Sequence, residues 1–164
     1  MVLVGGSESY KVTRLLRENN VAVMVNRLHD LPDLPELDTD ILYKLPYLLQ
    51  KDSVTFCIQN QGDMEAMNAR NLAFLAGTAA AYGLTKEQAL QSITLSPAKI
   101  LGVDNLIGSI ETGKLASIVV SDGDILDMKS NNIILAFVNG RSIKLTNFQN
   151  DLYKKYSNKL GIKE

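Results

Sequence analysis

Apolar residues in the first half of the chain fall in short consecutive runs separated by stretches of helical spacing. "VLVGG" (2–6) is a run of three ending in two glycines. "SESYKVTRLLRENN" follows it, with Ser7 as the N-cap and Val12, Leu15 and Leu16 on one helical face. Together they predict a β-α unit. "VAVMV" (21–25) is apolar at every position, as a strand covered on both faces should be. It opens into "NRLHDLPDLPELDTD", where Pro32 and Pro35 prevent a regular helix and leave a long loop at a strand end. "ILYKLPYLLQ" (41–50) has a helical tendency broken at Pro46, and "VTFCI" (54–58) is a third strand of the buried kind. From Met64 to Tyr82 an alanine-rich helix carries Leu72, Leu75, Ala76 and Ala79 at helical spacing and stops at Gly83.

The second half obeys a different pattern. Thr85 with Gln88 forms a capping box for a helix bearing Leu90 and Ile93, and Ser96-Pro97 starts another that Gly102 ends. Beyond it, "GSIETGKLASIVVSDGD" places glycine-marked turns on both sides of a strand. "NIILAFVNGRSIKL" reads as two strands joined by Asn139-Gly140, the pair favoured in a type I′ hairpin. Thr146 and Gln149 predict a second capping box. Phe148, Leu152, Tyr156 and Leu160 then recur every fourth residue as far as Gly161, and Lys154, Lys155 and Lys159 sit where the helix dipole favours cations. This is an amphipathic closing helix. The chain has no internal repeat and no low-complexity tract.

Composition narrows the picture. At 164 residues, 46% hydrophobic and 21% charged, the chain suffices for one compact domain with its own core. A formal net charge of −1 without a basic cluster argues against nucleic acid or an anionic membrane surface as partner. The single cysteine, Cys57, excludes an internal disulfide and reads as a small buried hydrophobe. No apolar run is long enough to span a bilayer, and no secretory signal opens the chain. A strand beginning at residue 2 reads as a cut into an existing fold, so a fragment is expected.

"LSPAKILGV", then "GSIETGKLASIVVSDGDILD", then "ILAFVNGRSI", with "NARNLAFLAGTAAAYGLTKEQAL" upstream, resembles the C-terminal signature of the amidohydrolase superfamily, in particular the group similar to imidazolonepropionases and metal-dependent Xaa-Pro dipeptidases. The resemblance implies an α/β fold: a partial (β/α)₈ TIM barrel comprising the last three β/α units, then a small β-sandwich portion and a C-terminal helix. The implied boundaries are 1–102 for the barrel part, 103–146 for the composite sandwich segment and 147–164 for the helix. Five upstream β/α units would be missing, leaving open strand edges and apolar surface unless the chain self-associates as a homo-oligomer or meets the absent portion.

The resemblance also implies metal-assisted hydrolysis of carbon-nitrogen bonds in small-molecule substrates, with zinc as the usual family cofactor and a strand-end aspartate handling the proton. The chain departs from that pattern. It lacks the family's His-x-His pair and has one histidine in all. Gly5 stands where many relatives place a metal-binding histidine. The catalytic aspartate would fall near Asn60 or Gln61, where the chain reads "QNQGDM", and an amide is no general base. Asp63, two residues along, is the available substitute. No metal or cofactor is therefore assigned to this chain by itself. The expected function is the C-terminal segment of an amidohydrolase-like hydrolase, inactive in isolation and degenerate at its metal site. The alternative is a non-catalytic α/β binding or interaction module derived from one. A flavodoxin-like domain is disfavoured, because no phosphate-type loop follows "VLVGG" and the second half is rich in strands.

His29, just past the second strand, is the remaining polar candidate, for substrate or for a shared metal; the plainer reading is a loop histidine bonded to a carboxylate such as Asp30. Gly5, His29, Gln59 and Arg70 make up the candidate substrate pocket. Arg70 would serve an anionic group, or else a surface ion pair. The acidic loop with Asp30, Asp33, Glu36, Asp38 and Asp40 matches no EF-hand spacing and reads as solvated. "GSIETGK" lacks the spacing of a phosphate-binding loop and leads into a strand, so it reads as a turn.

Overall fold

Three parallel strands, β1 (Val2–Val4), β2 (Ala22–Val25) and β3 (Phe56–Ile58), form one sheet in the order β1-β2-β3, with Val2 paired to Ala22 and Val23 to Phe56. The computed structural model describes residues 1–26, 28–32, 34–60 and 65–162. Burial follows the apolar runs. Val23, Val25, Phe56, Cys57 and Ile58 lie in the core, whereas all three residues of β1 are exposed, because nothing among the described residues pairs with its outer edge.

The connection from β1 to β2 departs from the expected helix. A 3₁₀ turn over Ser9–Val12 precedes α1 (Thr13–Glu18), so Ser7 is not its N-cap; the predicted face is also wrong, since Val12 and Leu15 are exposed. Leu16 is buried, with Ser9 and Thr13. Two glycines with positive φ, Gly5 (+87°) and Gly6 (+71°), and the 3₁₀ turn absorb the residues assigned to the first helical turn. Each 3₁₀ residue turns the chain further than an α residue does, and the buried face rotates accordingly. The hydroxyl of Thr13 donates to Asp52 Oδ2 at 2.5 Å, tying this connection to the next one.

That next helix, α2 (Ile41–Lys51), runs through Pro46 without a break, contrary to the expectation. Proline inside a helix costs about 3 kcal/mol through its lost N–H bond and its ring. Leu42, Leu45 and Leu49 are all buried beside it, each contributing about 1.5–3 kcal/mol. Packing outweighs the break.

After β3 the chain forms a 3₁₀ segment over Glu65–Asn71, and α3 (Leu72–Ala81) begins only there. The predicted start at Met64 lies outside the described residues. Leu75, Ala76 and Ala79 are buried as the spacing requires, and Gly83 (φ +124°) follows the last turn. The capping box of α4 (Lys86–Ile93) forms in both directions: Gln88 N–H donates to Thr85 Oγ1 at 3.1 Å and Thr85 N–H to Gln88 Oε1 at 2.9 Å. α5 (Leu95–Leu101) ends at Gly102 in the left-handed region.

A second sheet, antiparallel, has the order β4-β5-β6 from β4 (Ile118–Ser121), β5 (Ile133–Val138) and β6 (Arg141–Ser142). Positive φ at both Asn139 (+50°) and Gly140 (+78°) matches the predicted I′ hairpin. The loop between β4 and β5 reaches back to the first layer, where Leu126 joins the core. Gly77 on α3 makes that possible, since a Cβ there would sit 2.2 Å from the carbonyl oxygen of Leu126.

The closing helix α6 (Phe148–Leu160) is capped by Asn147, whose Oδ1 accepts from Asn150 N–H at 2.9 Å. Thr146 instead donates its hydroxyl to Asp151 at 2.8 Å, so the predicted box with Gln149 does not form. Asn147 is the residue with extended backbone next to the helix, and an Asn cap needs only the one bond. Most of the apolar stripe is exposed, with Phe148 at 70% and Leu160 at 69%, while Leu152 is half-buried and Ser157 buried. None of the described helices is long and apolar enough to cross a membrane.

Candidate functional site

The C-terminal ends of the three parallel strands lie together. Gly5 N–H donates to Met24 O at 2.9 Å and Gln59 N–H to Val25 O at 3.0 Å, which aligns Gly5, Asn26 and Gln59 as the residues that leave the sheet. Beside these ends is a cleft of about 450 Å³ lined by Leu28, His29, Asp30, Asn60, Asn68, Asn71 and Leu75. Asn60 is braced across it, its Nδ2 donating to the carbonyl of Asn68 at 3.1 Å. Three carboxamides, one imidazole and one carboxylate thus converge over an apolar floor. Such a lining offers donors and acceptors to a small polar molecule without a strong field of either sign.

His29 is exposed yet held on two sides. Its Nε2 lies 2.8 Å from Thr78 Oγ1 on α3, rather than on a neighbouring carboxylate, and its ring stands edge-on to Tyr43 (5.7 Å, 88°). Tyr43 in turn packs against Tyr82 at 5.2 Å. The imidazole also borders a second cleft of about 730 Å³, which runs between α3 and the loop that carries Asp124, Leu126, Asp127 and Ser130. Lys86 bridges that cleft to Asp124 at 2.6 Å. The hydrogen bond from Lys86 holds the Asp124 carboxyl below the usual range, and the same bond raises Lys86.

Of the residues expected from the sequence, His29 and Asn60 reach the strand-end cleft. Gln61 and Asp63 lie outside the described residues. Gln59 is half-buried and Arg70 exposed on the 3₁₀ segment, and neither lines the cleft. Gly5 does not line it either. A Cβ at Gly5 would meet nothing within 4 Å, yet φ of +87° is a conformation an L side chain adopts only with strain. Asn68, Asn71 and Thr78 were not anticipated. Polar residues on a helical stretch look solvated, and the one available hint was the crowding of asparagines in "NARN".

A divalent ion in the family's manner needs three or four His, Asp, Glu or Cys donors around one point. Among the described residues no three such side chains converge, and the strand ends present glycine and amides. The described residues do not by themselves fit the metal. Cys57 is no substitute nucleophile, being 1% exposed with burial pushing its thiol up to about 11.

Comparison with known proteins places the chain in a family. The model of the amidohydrolase family matches residues 9–144. Imidazolonepropionase from Shewanella frigidimarina is 35% identical over 89 residues, covering 54% of this chain and 20% of that protein. The crystal structure of an amidohydrolase from Thermotoga maritima MSB8 superposes with a TM-score of 0.75 at 34% identity, over 87% of this chain and 36% of that one. An adenosine deaminase from Xanthomonas campestris with bound zinc shares the fold at 18% identity and a TM-score of 0.57, over 98% of this chain and 42% of that one. The chain spans well under half the length of each.

Proposed function

The chain belongs to the amidohydrolase family, and from that premise we propose that it is the C-terminal portion of a hydrolase of carbon-nitrogen bonds, supplying the substrate-facing wall of the site and not its metal centre. In this reading residues 1–102 are the last three β/α units of a (β/α)₈ barrel, 103–146 a share of a composite β-sandwich, and 147–164 the closing helix. The substrate is a small molecule with an amide-type group. The metal that amidohydrolases generally use would activate water and polarise the scissile carbonyl, and this chain's residues do neither.

Their work is orientation. Asn60, held by the Asn68 carbonyl, and the side chains of Asn68 and Asn71 hydrogen-bond an amide or carbonyl without exchanging protons with it. His29 and Asp30 are the two groups of the cleft lining able to take up a proton. The observation that carries the proposal is this cleft, whose lining has three carboxamides beside a single imidazole and a single carboxylate, where a metal centre needs three or four His, Asp, Glu or Cys donors. The same lining also favours a second reading, a module that binds its ligand without hydrolysing it.

The test combines metal analysis, turnover and binding. With zinc supplied, the chain should hold well under one ion per molecule and hydrolyse neither cyclic amides nor dipeptides. Titration with 2-imidazolidinone followed by NMR should shift the side-chain resonances of Asn60, Asn68, Asn71 and His29. Turnover with stoichiometric zinc would refute the assignment of the metal centre elsewhere, and an unperturbed spectrum would refute the cleft as the ligand site.

A further inference from the structure

His29 borders both clefts, and its Nε2 is committed to a hydroxyl that lines only the larger one. That hydroxyl is itself engaged. Thr78 Oγ1 lies 3.1 Å from Phe74 O, one helical turn back on α3, the usual back-bond of a threonine in a helix. A hydroxyl has a single proton. If Thr78 gives it to the Phe74 carbonyl, the oxygen meets His29 as an acceptor, and Nε2 must carry the ring's hydrogen. The opposite tautomer would turn the threonine proton toward the imidazole and abandon Phe74. One arrangement keeps both short contacts as hydrogen bonds and the other keeps one. A net hydrogen bond corresponds to a bias of roughly two- to thirteen-fold.

We propose that Thr78 is a positioning residue that locks His29 as the Nε2–H tautomer, so that the neutral ring presents proton-free Nδ1 as its acceptor. The edge-on contact with Tyr43, itself packed on Tyr82, fixes the ring plane in which this acceptor lies. Applied to the strand-end cleft, and resting there on the ligand-site reading above, the assignment means that His29 accepts a hydrogen bond from an N–H of an amide or ureide and does not donate one. It complements the carboxamides, each of which carries both a donor and an acceptor. No sequence spacing announces it, because Thr78 and His29 are 49 residues apart.

The chain has one histidine, so selective ¹⁵N labelling of histidine reports this ring alone. Spectra are recorded at a pH of about 8.5, above the ordinary imidazole range. Nε2 should show the shift and one-bond coupling of a protonated nitrogen with slowed exchange with water, and Nδ1 the shift of an unprotonated one. Thr78→Val removes the acceptor at nearly constant shape and should move both nitrogens toward averaged values with fast exchange. Thr78→Ser should restore the original pattern. A native ring that is Nδ1–H or evenly averaged overturns the proposal, as does a Thr78→Val spectrum identical to the native one. Should Thr78→Val fail to fold, the native and Thr78→Ser spectra decide alone. No arm requires a ligand, so a failed amide titration with an intact tautomer would sink the ligand-site reading and leave the ring assignment standing.

Discussion

Replacing Gly77 by alanine tests how the two layers are joined. In an ordinary helix interior the change is favourable by about 1 kcal/mol, since glycine is a poor helix former. Here the new methyl would lie 2.2 Å from Leu126 O and 3.2 Å from Leu126 C, and both are backbone atoms that no rotamer can move aside. Relief requires the loop to withdraw by about 1 Å to reach ordinary contact. Several bonds resist that: Leu126 N–H to Asp124 Oδ1 at 3.0 Å, Asn131 Nδ2 to Ile125 O at 3.1 Å, and the Lys86–Asp124 pair. Withdrawal also lifts Leu126, now 8% exposed, out of the core, a loss of about 1.5–3 kcal/mol when complete. Against the helix gain, Gly77→Ala should destabilise by about 1–3 kcal/mol.

Urea denaturation measures it as a lower midpoint at unchanged slope. The decisive comparison is made in a Leu126→Ala background. That substitution should itself cost about 2–4 kcal/mol, and it frees the loop to retreat. Gly77→Ala should then be neutral or stabilising by up to about 1 kcal/mol, a coupling of the size expected between contacting residues. If Gly77→Ala were at least as stable as the native chain in the native background, the close approach and the docking argument built on it would be wrong.

Other parts of the structure yield shorter tests. The Cys57 thiol is raised to about 11 from an ordinary value of 9.0, so the native state favours the protonated form. Its contribution is complete below pH 9 and is lost as pH rises toward 11, about 2–3 kcal/mol in all. Stability measured across that window should fall for the native chain and fall less for Cys57→Val. Thr85→Ala removes one arm of the α4 capping box and should lower stability by about 1 kcal/mol in the same urea assay. Phe148→Ser with Leu160→Ser should change unfolding free energy by under about 0.5 kcal/mol per site while lowering binding of an apolar dye, because both side chains are exposed.

What could be read from the sequence depended on whether a feature is local. The runs 21–25 and 54–58 announced β2 and β3, because strands covered on both faces admit only apolar residues. Thr85 with Gln88, and Asn139 with Gly140, act over three or four residues and formed as expected. Three local readings failed where tertiary or backbone context intervened. Pro46 was overruled by the buried leucines beside it, the positive-φ glycines turned the face of α1, and Asn147 displaced Thr146 as cap. The candidate site was partly legible: strand ends pointed to His29 and Asn60. Asn68, Asn71 and Thr78 were hidden because a polar residue on a helix becomes a site residue only through what approaches it, here the loop after β2.

The residues that hold the fold and the residues that leave the sheet beside the cleft lie on the same strands. Val23, Val25, Phe56 and Ile58 are in the core, so a change at any of them removes burial worth roughly 1.5–3 kcal/mol and is felt by the whole layer. Just past the strands, Gly5, Asn26 and Gln59 leave the sheet at its C-terminal edge, where the side chains add little to that core. A chain under pressure only to fold is held to the first set and is free at the second. The amidohydrolase pattern can therefore persist over residues 9–144 while amides stand at the strand ends. Family membership and chemistry are separate statements about different residues of the same strands. For this chain the second is tested at the amide-lined cleft beside His29 and Asn60, where a bound amide or its absence is directly measurable.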